Sequence, residues 1–342
     1  MAVIQAAAPP LRSAGNLLKK DSWTLLEVLR WTTGRFEERG LASPRLDAEI
    51  LIAAALRLSR VQLYVQFERP LAAEELSAIR EHVRRRQTGE SVAYVVGHKE
   101  FFGLEFTVDH RVLVPRPDTE TLVDEALARV RERFSPAETS EESPGFAESE
   151  AATATATAPS PTLAPALASE PAPASSLRIA DIGTGSGAIA ITLAKQLPQA
   201  VVYAVDVSAA ALEVAQANAA RHNVAVTFLE GDLAQPLAAH APFDLIVANL
   251  PYVPSAEIDG LAAEVRSEPR GALDGGHDGL DLVRRLVRAA PALLVAGGSL
   301  VLEIGAGQAQ QTAQFCRDAG FIDTRLRRDL GAIERVVSAV KP

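Results

Sequence analysis

Between residues 21 and 88 the apolar positions recur at helical spacing. "SWTLLEVLRWTTGRFEERG" predicts a first helix with Ser22 as its N-cap. "SPRLDAEILIAAALRL" predicts a second, with Ser43 at the N-cap and Pro44 at N1, where proline's fixed φ suits a helix start. "AAEELSAIREHVRRRQTG" predicts a third that stops at Gly89. Together they predict a small helical bundle. Across residues 92–115 the period changes. β-formers alternate with polar residues around Gly103, which predicts a hairpin. Asp118 is then placed to cap the helix "TETLVDEALARVRERF".

The stretch 135–176 is Ala, Pro, Ser, Thr and Glu with almost nothing to bury, so a flexible linker is expected. From Leu177 short apolar strands ("LRIADIG", "VVYAVDV", "VTFLEGD", "FDLIVANL", "SLVLEIG") alternate with helices ("GAIAITLAKQL", "AALEVAQANAARH", "LDLVRRLVRAAPALL"). That alternation predicts a doubly wound α/β domain with a mainly parallel, Rossmann-like sheet.

Bulk properties remove several alternatives. The 342 residues are 48% hydrophobic and 23% charged, a globular balance that supplies a core. A net charge of −9 argues against a nonspecific nucleic-acid coat, so no direct nucleic-acid binding is expected. The basic run "REHVRRRQ" reads first as a solvated helix face. Cys316 is the only cysteine, so no intrachain disulfide can form and a reducing compartment suits the chain. The N-terminal stretch is too short and Pro-broken for a signal peptide or a membrane span. A cytoplasmic, soluble protein without a membrane partner is expected. The six histidines are scattered without metal-ligand spacing, so no metal is expected.

"ADIGTGSGAIA" follows the first strand of the α/β part and opens a helix. Asp181, Gly183, Thr184, Gly185, Ser186 and Gly187 are its candidate cofactor loop. The spacing is Asp-x-Gly-x-Gly-x-Gly, which favours S-adenosylmethionine over a dinucleotide with a pyrophosphate to cradle. Asp206 ends the next strand about 20 residues on, where an acid meets ribose hydroxyls. Asp232 closes the third strand, placed to accept from an adenine amine, with Leu233 beside it to cover the ring. "LEIGAGQ" imitates the loop, but Gln308 replaces its third glycine and it follows the fifth strand, so it reads as structural.

The fourth strand ends in Asn249-Leu250-Pro251-Tyr252. Asn and Pro are turn residues, yet ligands in open α/β sheets bind beyond the carboxyl ends of the strands. That location puts Asn249 at the reactive end of the cofactor. [N/D]-P-P-Y there marks methyltransferases of planar nitrogens. Such a nitrogen is a poor nucleophile, so the task is to hold its N–H groups and aim it. The Asn249 side-chain oxygen can accept one N–H and the Leu250 carbonyl the other, and both favour positive charge on the nitrogen. Tyr252 can pack on the planar group. No carboxylate base is required.

These motifs, with "GESVAYVVGHKEFFGLEFTVDHRVLVPRPDTE", "EVRSEPRGALDGGHDGLDLVRRL" and "DLGAIERVV", make the chain resemble the release-factor glutamine N5-methyltransferase family (PrmC/HemK). The resemblance covers most of the chain outside 135–176. It implies a seven-stranded methyltransferase domain behind a helical bundle and a β-hairpin connector. It also implies methyl transfer from S-adenosylmethionine to the glutamine of the Gly-Gly-Gln motif in class-1 peptide-chain release factors. On that basis residues 16–90 are the bundle that docks substrate, with Arg84, Arg85 and Arg86 as candidates. Residues 91–134 are the connector and helix, 135–176 the linker and 177–342 the methyltransferase domain. A monomer is expected. Two departures stand out: Leu250 where the family has Pro, and the insert itself. A ribosomal-protein glutamine and a nucleic-acid adenine are the rival acceptors, and "SAEIDGLAAEVRSEP" after the tetrapeptide lacks the basic character an adenine methyltransferase would need.

Loop-closure entropy changes slowly with length. Replacing residues 135–176 by a short Gly/Ser linker is therefore expected to leave melting and activity largely unchanged. A shortened chain that loses solubility or turnover would contradict this reading of the segment.

Overall fold

The computed structural model describes residues 22–134 and 176–342. The linker expectation, apart from Ser176, and the readings of the N-terminal stretch fall outside those residues. Two compact units emerge. Among the described residues, one holds those up to Lys99 together with Thr107–Val114 and Asp259–Arg270, and the other holds Glu100–Phe106, those between Pro115 and Ile258, and Gly271–Pro342. Two short segments distant in sequence complete the bundle unit, and the helix before the insert belongs with the sheet.

The first unit contains helices α1 (Leu25–Glu38), α2 (Pro44–Leu56), α3 (Arg60–Val65), α4 (Ala73–Gln87) and α5 (Val92–Val96). Leu25, Leu29, Phe36, Leu51, Ile52 and Ile79 form the centre of its core. The N-cap of α1 is Thr24 rather than Ser22. Thr24 Oγ1 accepts the Glu27 N–H at 3.4 Å while Glu27 Oε2 accepts the Thr24 N–H at 3.0 Å, a reciprocal capping box that Ser22 does not form. Residues 92–96 are helical rather than extended. Ser91 Oγ caps them by accepting the Tyr94 N–H, and Gly97 closes them at φ 84°. Strands β1 (His98–Phe101) and β2 (Leu104–Thr107) form the expected hairpin around Gly103.

The second unit opens with a 3-10 turn, Pro117–Thr119, that runs into α6 (Glu120–Phe134). Asp118 lies inside that turn rather than capping the helix. Then come β3 (Arg178–Ile182), α7 (Ala188–Gln196), β4 (Val201–Asp206), α8 (Ala209–His222), β5 (Val226–Glu230) and β6 (Phe243–Asn249). A short helix, α9 (Ala263–Arg266), lies in the segment belonging to the bundle unit. The sheet unit resumes with α10 (Asp281–Leu293), β7 (Leu294–Glu303), α11 (Ala309–Asp318), β8 (Ile322–Arg328) and β9 (Glu334–Val340).

Seven strands form one sheet in the order β5-β4-β3-β6-β7-β9-β8, with β9 antiparallel to both its neighbours. Successive strand residues feed opposite faces. Leu245 and Val247 join the core under α6, α7 and α8, whereas Ile246 and Ala248 join the core under α10 and α11. From β3 the chain winds outward through β4 to β5, then returns to place β6 on the other side of β3. The carboxyl ends of β3 and β6 therefore flank the switch point, where open α/β sheets bind ligands. Among the described residues no helix is long and apolar enough to cross a membrane.

The basic run in α4 is divided by its surroundings. Arg86 is 4% exposed and joins Asp47 of α2 (Nε–Oδ2 2.8 Å) to Glu264 of α9 (Nη2–Oε2 2.7 Å). Arg85 is tied to Glu90 and to the carbonyls of Tyr94 and Val95, and Arg84 pairs with Glu81 at the surface. Arg86 is thus a cross-link inside the bundle unit and not a docking residue.

Burial raises the pKa of Asp47 even with the Arg86 guanidinium beside it. Removing the partner of a buried charge typically costs about 3–5 kcal/mol, so Arg86→Met should lower unfolding stability in urea by that order. A loss under about 1 kcal/mol would show that α9 is not held through this group.

Candidate active site

The loop after β3 turns on glycines in the left-handed region, with φ of 76° at Gly183, 53° at Gly185 and 81° at Gly187. This is the physical reason for their spacing, since a side chain would strain each turn. A Cβ on Gly183 would stand 3.1 Å from Leu250 Cδ2, so the loop lies directly against the tetrapeptide. A Cβ on Gly185 would meet nothing within 4 Å, leaving an open cradle.

The polar side chains of the loop point inward. Asp181 is fully buried, and its Oδ2 accepts from Thr184 Oγ1 at 2.7 Å and from the Ala190 N–H at 3.1 Å. Burial pushes its pKa up to about 7. Ser186 is buried too, and its carbonyl accepts from Asn218 Nδ2 at 2.9 Å. Asp181 and Thr184 are therefore bonded within the loop, and Ser186 is held through its backbone carbonyl.

Asp206 ends β4 as expected. Its Oδ2 accepts the Gly185 N–H at 2.8 Å and its Oδ1 the Ser208 N–H at 2.9 Å. A carboxylate offers about four lone-pair sites, so acceptor capacity remains for ribose hydroxyls. Asp232 lies two residues beyond the end of β5 at Glu230, in the bend after the strand rather than closing it. There it pairs with Arg285 of α10. Leu233 follows at φ 50°, a strained conformation for leucine of the kind functional sites retain, and is half-buried against the sheet core. The open loop after β3, Asp206 at the end of β4 and the strained turn at Leu233 after β5 line the carboxyl edge of three adjacent parallel strands. They fit an adenosine-bearing cofactor.

Asn249 closes β6, half-buried, and its Nδ2 donates to Thr119 Oγ1 at 3.2 Å. Leu250 is 3% exposed and belongs to the sheet core. The remainder of the tetrapeptide is fixed through its backbone. Gln308 Nε2 donates to the Tyr252 carbonyl at 3.0 Å, and Gln308 Oε1 accepts the Gly305 N–H at 2.8 Å. The imitation glycine loop thus buttresses Tyr252. Val253 N–H donates to the Leu273 carbonyl, and Gly275 N–H to the Val253 carbonyl, both at 2.9 Å. A Cβ on Gly275 would come within 2.7 Å of the Pro251 carbonyl oxygen, and one on Gly279 within 2.2 Å of the Tyr252 carbonyl oxygen. This gives "ALDGGHDGL" a mechanical role: it is a backbone brace that only glycine permits. Burial raises the Tyr252 pKa, so the phenol stays neutral.

Thr119, Glu303, Gly275 and Gly279 carry no role in the sequence reading, and Gln308 only a structural one. Their signal was the specificity of "RPDTE", "LEIGAGQ" and "ALDGGHDGL", which periodicity does not translate into contacts.

Residues 27–97 match the family described as the PrmC N-terminal domain, a span that includes α5, and residues 179–268 match a methyltransferase domain. A release factor glutamine methyltransferase of Geobacter sulfurreducens is 43% identical over 320 residues, covering 93% of this chain and 97% of its own. The one from Rhodopirellula baltica is 38% identical over 325 residues, with the same coverages. The one from Moorella thermoacetica is 41% identical over 299 residues, covering 87% of this chain and 91% of its own.

Gly275→Ala should displace the Pro251–Tyr252 backbone while sparing the cradle. Misplacement by about 1 Å can cost on the order of 100-fold, so turnover should fall by roughly 10–100-fold with cofactor affinity retained. Unchanged turnover in steady-state assays would show that the brace does not position the tetrapeptide.

Proposed function

The chain belongs to the release factor glutamine methyltransferase family, and on that premise we propose that it methylates N5 of the glutamine in the Gly-Gly-Gln motif of class-1 release factors, with Asn249 and the Leu250 carbonyl holding the acceptor amide. It is an S-adenosylmethionine-dependent enzyme. The carrying observation is Asn249 at the end of β6, bonded to Thr119 and set against the glycine loop through Leu250 and Gly183.

When bound, S-adenosylmethionine supplies an electrophilic sulfonium methyl group. The 183–187 loop and Asp206 would hold its methionyl and ribose portions, and Asp232 and Leu233 its adenine. Asp232 would exchange its present partner, Arg285, for the exocyclic amine. Asn249 Oδ1 accepts one N–H of the substrate amide and the Leu250 carbonyl the other. That aims the nitrogen at the methyl group and favours the positive charge it acquires. The proton then leaves to solvent, which is why no carboxylate base is needed. Tyr252, neutral and braced through its carbonyl, packs on the amide plane. The net charge of −9 supports a protein acceptor over a nucleic acid. The bundle unit is the proposed docking surface for the release factor, with Arg84, the surface member of its arginine run, as a contact. The enzyme is proposed to act as a monomer.

Incubation with S-adenosylmethionine and a release factor, followed by mass mapping, should place one added methyl on the Gly-Gly-Gln glutamine; a methyl elsewhere overturns the substrate reading. Loss of one preorganised polar contact typically costs roughly 100–1,000-fold, so Asn249→Ala should lower kcat by that order and leave cofactor affinity nearly intact. Asp206→Ala should instead act mainly on the cofactor KM, since ribose contacts are the same in ground and transition states. A large kcat loss at unchanged KM would contradict the role given to Asp206.

A further inference from the structure

A side-chain amide has two ends of nearly equal shape and opposite hydrogen-bonding sense. For Asn249 to receive an N–H from a substrate amide, its oxygen must face the substrate and its nitrogen the protein. Turned about, it would set donor against donor. Which way it faces depends on its neighbours.

Those neighbours are Thr119 and Glu303. In the parallel pairing of β6 with β7, Asn249 stands opposite Glu303, so their side chains emerge on the same face. Glu303 is 1% exposed, and its carboxyl lies beside the Thr119 and Asn249 side chains, which favour its charged form. Thr119 is 4% exposed and accepts from Asn249 Nδ2 at 3.2 Å. One N–H of Asn249 therefore has its acceptor within the protein, and the neighbouring Glu303 carboxyl favours the nitrogen end of the amide on that side.

We propose that Thr119 and Glu303 are positioning residues that fix the Asn249 amide with Oδ1 toward the acceptor glutamine. The proposal rests on the role of Asn249 given above. Stability does not account for Glu303. A carboxyl buried this deeply is costly, burial pushes its pKa up to about 7, and its Oε2 has no hydrogen-bond partner among the described residues. An apolar side chain would fill the end of β7 at lower cost. Thr119 is itself delivered by the Pro117–Thr119 turn, which Asp118 ties to Arg335 of β9 at 3.5 Å. That gives "RPDTE" a purpose: it carries a hydroxyl under the strand end where the amide must be held.

The test combines isosteres with a swap of donor and acceptor. Thr119→Val keeps the shape and removes the hydroxyl, so kcat should fall roughly 10–100-fold at unchanged cofactor affinity, as expected for a misaimed group, and Thr119→Ser should recover it. Asn249→Asp keeps an outward oxygen but sets a second one against the Glu303 carboxyl, and should lose on the order of 100-fold or more. Adding Glu303→Gln to Asn249→Asp restores a donor–acceptor pair, now reversed, and should regain at least about tenfold of that loss. A role of Glu303 in packing alone predicts no such rescue. Wild-type turnover in Thr119→Val, loss of cofactor binding in that variant by calorimetry, or no recovery in the Asn249→Asp, Glu303→Gln pair would each overturn the inference. Failure of the underlying reading is distinguishable, because there Asn249→Ala itself would keep its turnover.

Discussion

Everything at the site depends on how closely two strand ends approach each other. The loop after β3 and the tetrapeptide after β6 touch where a Cβ on Gly183 would stand 3.1 Å from Leu250. The proposed methyl donor in the loop and acceptor at Asn249 can meet only if that spacing is kept. The sheet provides it, because β3 and β6 are hydrogen-bonded neighbours from Ile179/Leu245 to Ile182/Ala248. Glycine at 183 allows the turn and the approach at once.

Holding such a junction still requires polar groups where an apolar core would be cheaper. Asp181 supports the loop from beneath and Glu303 stands beside Asn249, both buried and both with a raised pKa. Around Tyr252 the same task is done with backbone groups, through Gln308 and the glycines of the 273–280 segment. Arg86 is the counterpart inside the bundle unit, a buried charge joining α2, α4 and α9. Each of these trades stability for a defined geometry.

Leu250 departs from the family pattern in a way the structure makes intelligible. Proline at this position stiffens the backbone by locking φ. Leucine lacks that lock, but here it is buried in the sheet core and packs against the glycine loop. Its contribution passes through packing in place of torsional restriction, while its carbonyl, the group assigned to the substrate, is common to both residues.

The sequence by itself determined the α/β alternation, the five parallel strands, the glycine loop, Asp206 and the tetrapeptide, because each is local. Strand periodicity, positive-φ glycines and strand-end acids are written within a few residues of where they act. Locally ambiguous pieces were decided by tertiary structure. Val92–Val96 has β-forming residues yet is a capped helix with Tyr94 and Val95 buried. β8, exposed and charged along the sheet edge, carried too weak a period to be read, and α11 was not read although Ala309, Thr312, Ala313 and Cys316 fall at helical spacing. The arginine run looked uniform along α4, but three environments made one arginine a surface group, one a local clamp and one a buried cross-link. The partners of Asn249 were also decided at this level. Thr119 lies 130 positions away, and Glu303 becomes its neighbour only through strand pairing. Contacts of that kind depend on register between distant segments, which no local pattern encodes.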